Sequence, residues 1–273
     1  MFYFSGVSGK TEAGFLINNG VKHILLDYID YHKLKDVLPA DAELIIDSAA
    51  YKVFKGKLSE IDIEALIETA KDERVKWVVA PDVIGNEQKT RENWNKVKHM
   101  KDVPWLPVWG PYSSEELLES YLAEFEYVGI GALVDRMRMG YAKEYKNDKA
   151  AKKEAEDFLK YLTKLCQKYP NRFHLFGVCW PKAINKLMPY CYSMDSSKWI
   201  TAAKKRKEIL FKHSSGEIRN APAWVAKSFP EFAEDDLNDV GTRLKITIAS
   251  LDSFNYQDDE SDVDSADRIA MMG

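Results

Sequence analysis

The chain has 273 residues, of which 45% are hydrophobic and 30% charged, with 14 Gly and 10 Pro; this excludes collagen-like, low-complexity and wholly disordered classes. At roughly 100 to 200 residues per domain, it suits one large domain or two small ones. The formal net charge of −4 is unevenly placed, because residues 251–273 hold seven acids against Arg268 and leave the first 250 residues at +2.

Along the chain, short apolar runs ending in small or acidic residues alternate with charged stretches of helical period, the rhythm of βα units. A first strand is expected at 23–28, followed at 44–49 by a run that delivers Asp47. A helix over 61–71 leads to a strand at 77–81 that delivers Asp82. Strands at 105–109 and 127–133 follow. A helix over 148–169 then sets Phe158, Leu159, Leu162 and Leu165 on one face at three- and four-residue spacing. Strands at 173–178 and 191–195 come next, the second delivering Asp195, and an eighth is expected near 209–213 or 244–248. Seven or eight such units suit a single-domain (β/α)8 TIM barrel of about 250 residues, here over 1–250, with an acidic C-terminal tail over 251–273. The rival, an open doubly wound sheet, would usually announce itself with a Gly-rich phosphate loop after its first strand. Neither G-x-G-x-x-G nor G-x-x-x-x-G-K-[ST] occurs.

The longest uncharged apolar-rich run, 103–114, falls short of the about 20 residues of a spanning helix, so no membrane partner is expected. The N-terminus lacks the basic and apolar regions of a leader. Cys166, Cys179 and Cys191 match neither a disulfide framework nor the paired cysteines of a zinc site. A reducing, cytoplasmic setting with free thiols is expected, with no metal and no cofactor. His174, inside an apolar strand, reads as a hydrogen-bonded core histidine.

Catalytic groups of such barrels sit at the C-terminal ends of strands, where Asp47, Asp82 and Asp195 would converge on one mouth. One Asp-Ser pair alone reads as a turn or helix cap. A cluster of unpaired carboxylates, however, is costly unless function retains it.

Five motifs carry a resemblance: Asp47-Ser48-Ala49-Ala50-Tyr51, Pro81-Asp82-Val83-Ile84-Gly85, Gly129-Ile130-Gly131-Ala132-Leu133, His174-Leu175-Phe176-Gly177 and Met194-Asp195-Ser196-Ser197. Their order and approximate spacing resemble those of tRNA-guanine transglycosylases. The chain is most similar to the short phage-type enzymes that exchange guanine in DNA for a 7-deazaguanine. The resemblance covers roughly residues 40 to 200. It implies Asp195 as the nucleophile toward C1′ and Asp47 as the general acid/base. Asp82 would hold the base edge, and Tyr51 and Phe176 would flank the heterocycle. Gly131, Ala132 and Leu133 would read the base with their backbone, and Ser48 belongs to the same substrate-binding set. Trp109 stands where the tRNA enzymes commonly carry Gln. Ala49-Ala50 and Gly131-Ala132 replace Gly-Gly pairs, and the zinc subdomain is absent.

Chemistry agrees with these roles. Breaking an N-glycosidic bond builds positive charge at C1′, which a carboxylate stabilises or captures covalently. The departing base needs a proton, which a second carboxyl group supplies. The implied partners are DNA, with tRNA as the alternative, and a free 7-deazaguanine base. A duplex target would have to be flipped out of its stack. An N-glycosidase, or a non-catalytic nucleic-acid-binding barrel, is the reading to be weighed against exchange. Over 198–212, Lys198, Lys204, Lys205, Arg206, Lys207 and Lys212 oppose Glu208 alone; the first five are candidates for binding phosphates, and the same segment also reads as a solvated helix face.

Overall fold

Three consecutive aromatic residues open the sheet. β1 (Phe2–Phe4) runs parallel to β2 (His23–Asp27), with Phe4 beside Ile24. The computed structural model describes residues 1–256. Residues 257–273, most of the expected acidic tail, lie outside them. The chain forms two compact units, Tyr3–Lys198 and, separately, Met1–Phe2 with the residues from Trp199 onward.

After β2 come β3 (Glu43–Asp47), β4 (Val75–Val79), β5 (Trp105–Leu106), β6 (Val108–Trp109), β7 (Val128–Ile130), β8 (Phe173–Leu175) and β9 (Ser193–Ser196). Each of the seven strands expected at 23–28, 44–49, 77–81, 105–109, 127–133, 173–178 and 191–195 is present, shifted by a few residues at its ends. The order is β5-β4-β3-β2-β1-β9-β8-β7-β6, and the pairings are parallel. β5 and β6, at opposite ends of that order, are one stretch of chain divided by Pro107. Val78 pairs with Trp105 on one side of it and Trp109 with Ile130 on the other. Proline has no N–H to give, but the Pro107 carbonyl still accepts from the Gly129 N–H at 2.8 Å. The result is an α/β protein with a nearly closed, nine-strand, TIM-like parallel sheet.

The eighth stave is not where the sequence suggested. It is β1, at the very start of the chain. Residues 209–213 fall largely in β10 (Glu208–Lys212), which pairs antiparallel with β11 (Ile218–Pro222) in a separate hairpin. Residues 244–248 lie inside the helix Val240–Asp252, with Leu244, Thr247, Ile248 and Leu251 buried along one side. That helix also moves the start of the tail, since Leu251 and Asp252 are buried. Asn255 is tied to Phe2 by two hydrogen bonds, accepting from its N–H at 2.7 Å and donating to its carbonyl at 3.1 Å.

Successive strand residues point to opposite faces. In the barrel unit this period aims Tyr3, Glu43, His174 and Ser193 inward. At the end where the strands begin, the Tyr3 hydroxyl donates to Glu43. The Lys76 ammonium bridges Glu43 at 2.9 Å and the Tyr192 hydroxyl at 2.8 Å. Burial and the neighbouring Glu43 carboxylate push the Tyr3 phenol well above its ordinary range. These polar and aromatic side chains cluster at the bottom of the barrel. Outside it, the helix Lys149–Lys168 is capped by Asp148, whose carboxylate accepts from the Ala151 N–H at 2.9 Å, and it buries Phe158, Leu159 and Leu162. Among the described residues no helix is long and apolar enough to cross a membrane.

Candidate active site

The C-terminal strand ends of the barrel unit surround a cavity of about 500 Å³. Asp47, Asp82 and Asp195 line it, and so do Tyr51, Phe176, Gly131, Ala132 and Leu133. Three carboxylates, from β3, β9 and the loop that follows β4, thus face one largely apolar space.

Asp47 ends β3 beside Asp27, the residue paired with it at the end of β2. Its Oδ1 accepts from the Ala49 N–H at 2.6 Å. Burial pushes the Asp47 carboxyl up to about 7 against the pull of that N–H, and the negative charges of Asp82, Asp27 and Asp195 push the same way. Asp82 is pushed up to about 6, again by burial, opposed by its own backbone N–H and by the Ser48 hydroxyl, which donates to its Oδ1 at 3.4 Å. Ser48 is fully buried, so it acts on the cavity through Asp82. A carboxyl group that titrates near neutrality suits proton transfer in both directions.

Asp195 is only 4% exposed. Its Oδ1 accepts from the Gly177 N–H at 2.9 Å and lies 3.4 Å from His174 Nε2. Gly177 has φ +69°, and a Cβ there would come within 2.7 Å of Val134, so glycine is required where the backbone turns to meet the carboxylate. His174 is fully buried. Its Nδ1 lies 2.8 Å from the Ser193 hydroxyl, while Nε2 has no hydrogen-bond partner among the described residues. When Ser193 donates to Nδ1, the ring proton sits on Nε2 and faces Asp195. The histidine read as core packing therefore adjoins the expected nucleophile. The signal was the strand period, which puts His174 and Phe176 on the same inward face.

Three further residues escaped the sequence reading. Asp27 ends a fourth apolar run, His23-Ile24-Leu25-Leu26, as the other three aspartates end theirs. Lys52 Nζ clamps it at 2.6 Å and reaches Asp30 at 3.0 Å, so Asp27 is paired where Asp47 is not. At the rim, Phe54 and Tyr112 join Tyr51 as aromatic side chains left 52%, 56% and 43% exposed. Lys55 lies 5.1 Å over both the Tyr51 and Phe54 rings, and Arg136 lies 4.5 Å over Tyr112.

Two expected residues fall elsewhere. Trp109 is not part of the cavity wall; it is 1% exposed and its indole N–H donates to the Ser114 carbonyl at 2.9 Å. Strand alternation turns Val108 inward instead. Lys198 is 3% exposed, with its ammonium 4.8 Å over the Tyr141 ring, so it presents no charge to a phosphate at the surface. Lys204, Lys205, Arg206 and Lys207 are exposed and belong to the other compact unit. They occupy a π-helical turn, Ala202–Arg206, and the residue after it.

Ala49 and Ala132, two of the alanines that replace glycines of the resembled family, have φ +63° and +57°. The left-handed region costs a residue with a Cβ about 1–2 kcal/mol, whereas glycine loses roughly 0.5–1 kcal/mol more in chain entropy on folding. Strain therefore outweighs entropy. Ala49→Gly and Ala132→Gly should each stabilise the fold by about 0.5–1 kcal/mol, read as a rise in midpoint in denaturant titration; unchanged or lower midpoints would refute the strain.

Among the described residues no group of three or more His, Cys, Asp or Glu side chains is arranged to hold a metal. Neither a family model nor a curated protein matches the chain. Fold and cavity define its class: a TIM-like α/β barrel with three carboxylates at its mouth.

Proposed function

We propose that this cavity exchanges guanine in DNA for a free 7-deazaguanine by double displacement. The observation that carries the proposal is the convergence of Asp47, Asp82 and Asp195 on one space that also holds the aromatic walls Tyr51 and Phe176. Its volume of about 500 Å³ is in the range of about 300–1,000 Å³ typical of small-molecule sites.

In the first half-reaction an Asp195 oxygen attacks C1′ and the bond from C1′ to the base breaks. The bonding pair leaves with guanine, which takes the Asp47 proton. In the second, the incoming heterocycle gives its proton to Asp47 as its nitrogen attacks C1′, and the bond to Asp195 breaks. Both carboxyl groups return to their starting state. Asp47, titrating near 7, supports donation and recovery of one proton at neutral pH. Asp82 accepts from the N–H groups of the base edge, held in place by Ser48.

The test is to incubate the protein with DNA or tRNA and candidate 7-deazaguanines, digest to nucleosides, and identify products by mass spectrometry. A modified nucleoside from DNA alone is the expected result. Product only from tRNA moves the activity to that polymer, release of guanine without insertion makes the protein an N-glycosidase, and no change in either polymer favours a binding role. Asp82→Ala should raise the heterocycle concentration for half-maximal exchange by about 10- to 100-fold, the worth of hydrogen bonds to a charged group, while polymer affinity stays within about twofold. Equal losses in both would mean the pocket had collapsed.

A further inference from the structure

The unit that begins at Trp199 carries a surface that the barrel chemistry does not use. Trp224 is 81% exposed. Bulky aromatic side chains are usually well buried, so a bare indole is informative. Its position follows from strand register. β10 and β11 pair Glu208 with Pro222, so the residues just before β10 meet those just after β11. The Ala223 N–H donates to the Lys207 carbonyl at 2.8 Å, which sets Trp224 one residue from the end of the exposed run Lys204-Lys205-Arg206-Lys207.

The run is tied into the interior of its own unit. The buried Arg243 guanidinium donates to the Ala203 carbonyl at 3.0 Å and to the carbonyls of Leu237 and Asn238 at 2.7 and 2.8 Å. Behind the hairpin, Ile209, Phe211 and Ala221 pack into a buried cluster with Phe232 and Leu237.

We infer that Trp224 and the cations 204–207 form a binding surface for single-stranded nucleic acid, with an unpaired base stacked on the indole and adjacent phosphates on the basic side chains. Charge complementarity selects this partner. Four consecutive cations suit a polyanion, and an aromatic face beside a basic track is the way single strands are held without regard to sequence. A protein partner fits less well, because lysines are depleted from interface cores. A membrane fits less well too: among the described residues of this unit only Trp224 and Tyr256 are large apolar side chains left exposed, and surface-bound helices need a broad apolar face. The inference does not depend on base exchange and is tested without any 7-deazaguanine.

The experiment uses the full chain and a fluorescein-labelled single-stranded oligonucleotide of mixed sequence, its blunt duplex, and vesicles of phosphatidylserine and phosphatidylcholine, over a sodium chloride series. Trp224→Ala should weaken single-strand binding about 5- to 100-fold without changing the salt slope, and Trp224→Phe should restore most of the loss. Duplex affinity should change less than about twofold, since stacked bases offer the indole no free face. Neutralising Lys204, Lys205, Arg206 and Lys207 to Gln should flatten the salt slope on single strands, by about 0.7 for each phosphate no longer neutralised. A thermal melt guards against misfolding; with an indole so exposed, Trp224→Ala should melt with the parent. Wild-type affinity in Trp224→Ala, equal losses on single strand and duplex, no oligonucleotide binding by the parent, or Trp224-dependent binding to vesicles alone would each overturn the inference.

Discussion

Replacing Asp195 by Asn is expected to reduce base exchange by on the order of 10⁴-fold or more, to background, while the protein remains folded. Asparagine is the informative choice. The native carboxylate accepts from the Gly177 N–H and adjoins His174, and the amide oxygen of Asn preserves an acceptor there, so loss of activity reports the nucleophile and not a buried N–H left without a partner. Denaturing electrophoresis gives the companion result: wild-type protein with DNA and no incoming heterocycle should retain a covalent adduct, and Asp195→Asn should not. Near-normal exchange by the variant, or an adduct formed equally by both proteins, would remove Asp195 from its role.

The second large effect belongs to Asp47, and it has opposite signs for rate and for stability. Asp47→Asn should slow exchange by about 10²- to 10⁴-fold through loss of proton transfer. In the parent, the rate of guanine departure should fall as pH rises through about 7, where Asp47 loses its proton; the variant should lack that limb. Stability runs the other way. The folded carboxyl titrates near 7 against an ordinary 3.8, so between those values the folded state binds more protons than the unfolded chain. Folding stability therefore declines as pH rises through this window. At about pH 8 the full cost is present, and Asn removes it while its oxygen still accepts from Ala49. Asp47→Asn should accordingly be the more stable protein at that pH, by about 2–4 kcal/mol, and the advantage should vanish near about pH 4. Denaturant titrations at the two values decide the matter; an advantage independent of pH would mean that burial of Asp47 is not what the substitution relieves.

Seven strands were legible because each is an apolar run bounded by turn residues and followed by a segment of helical period. β1 was not, because three residues at a chain start offer neither alternation nor a preceding boundary. Its rivals had better local signatures. Ile209 and Phe211 alternate as a strand should, and they form one, but antiparallel to β11. Leu244, Thr247, Ile248 and Leu251 recur at helical spacing, and only the surrounding turn chemistry, with Asp239 capping at 2.7 Å, distinguishes that helix from a short buried strand. For the site, composition at strand ends pointed to Asp47, Asp82 and Asp195, whereas orientation required phase. Two adjacent residues of β6 exchange roles on phase alone, Val108 facing the cavity and Trp109 the surrounding core. Lys198 shows the complementary limit: a basic run is read from charge, but whether a given lysine reaches solvent depends on the ring it meets in the fold.

Tyr3, Glu43, Lys76 and Tyr192 are hydrogen-bonded together at the end of the barrel away from the three carboxylates. In the exchange proposed above, a released base and its replacement would share the one cavity at the strand ends and take turns in that berth. Such an exchange would run as a shuttle with a vacancy between arrivals. Free guanine should then compete directly with the incoming heterocycle, and the covalent state should persist for as long as the berth stands empty.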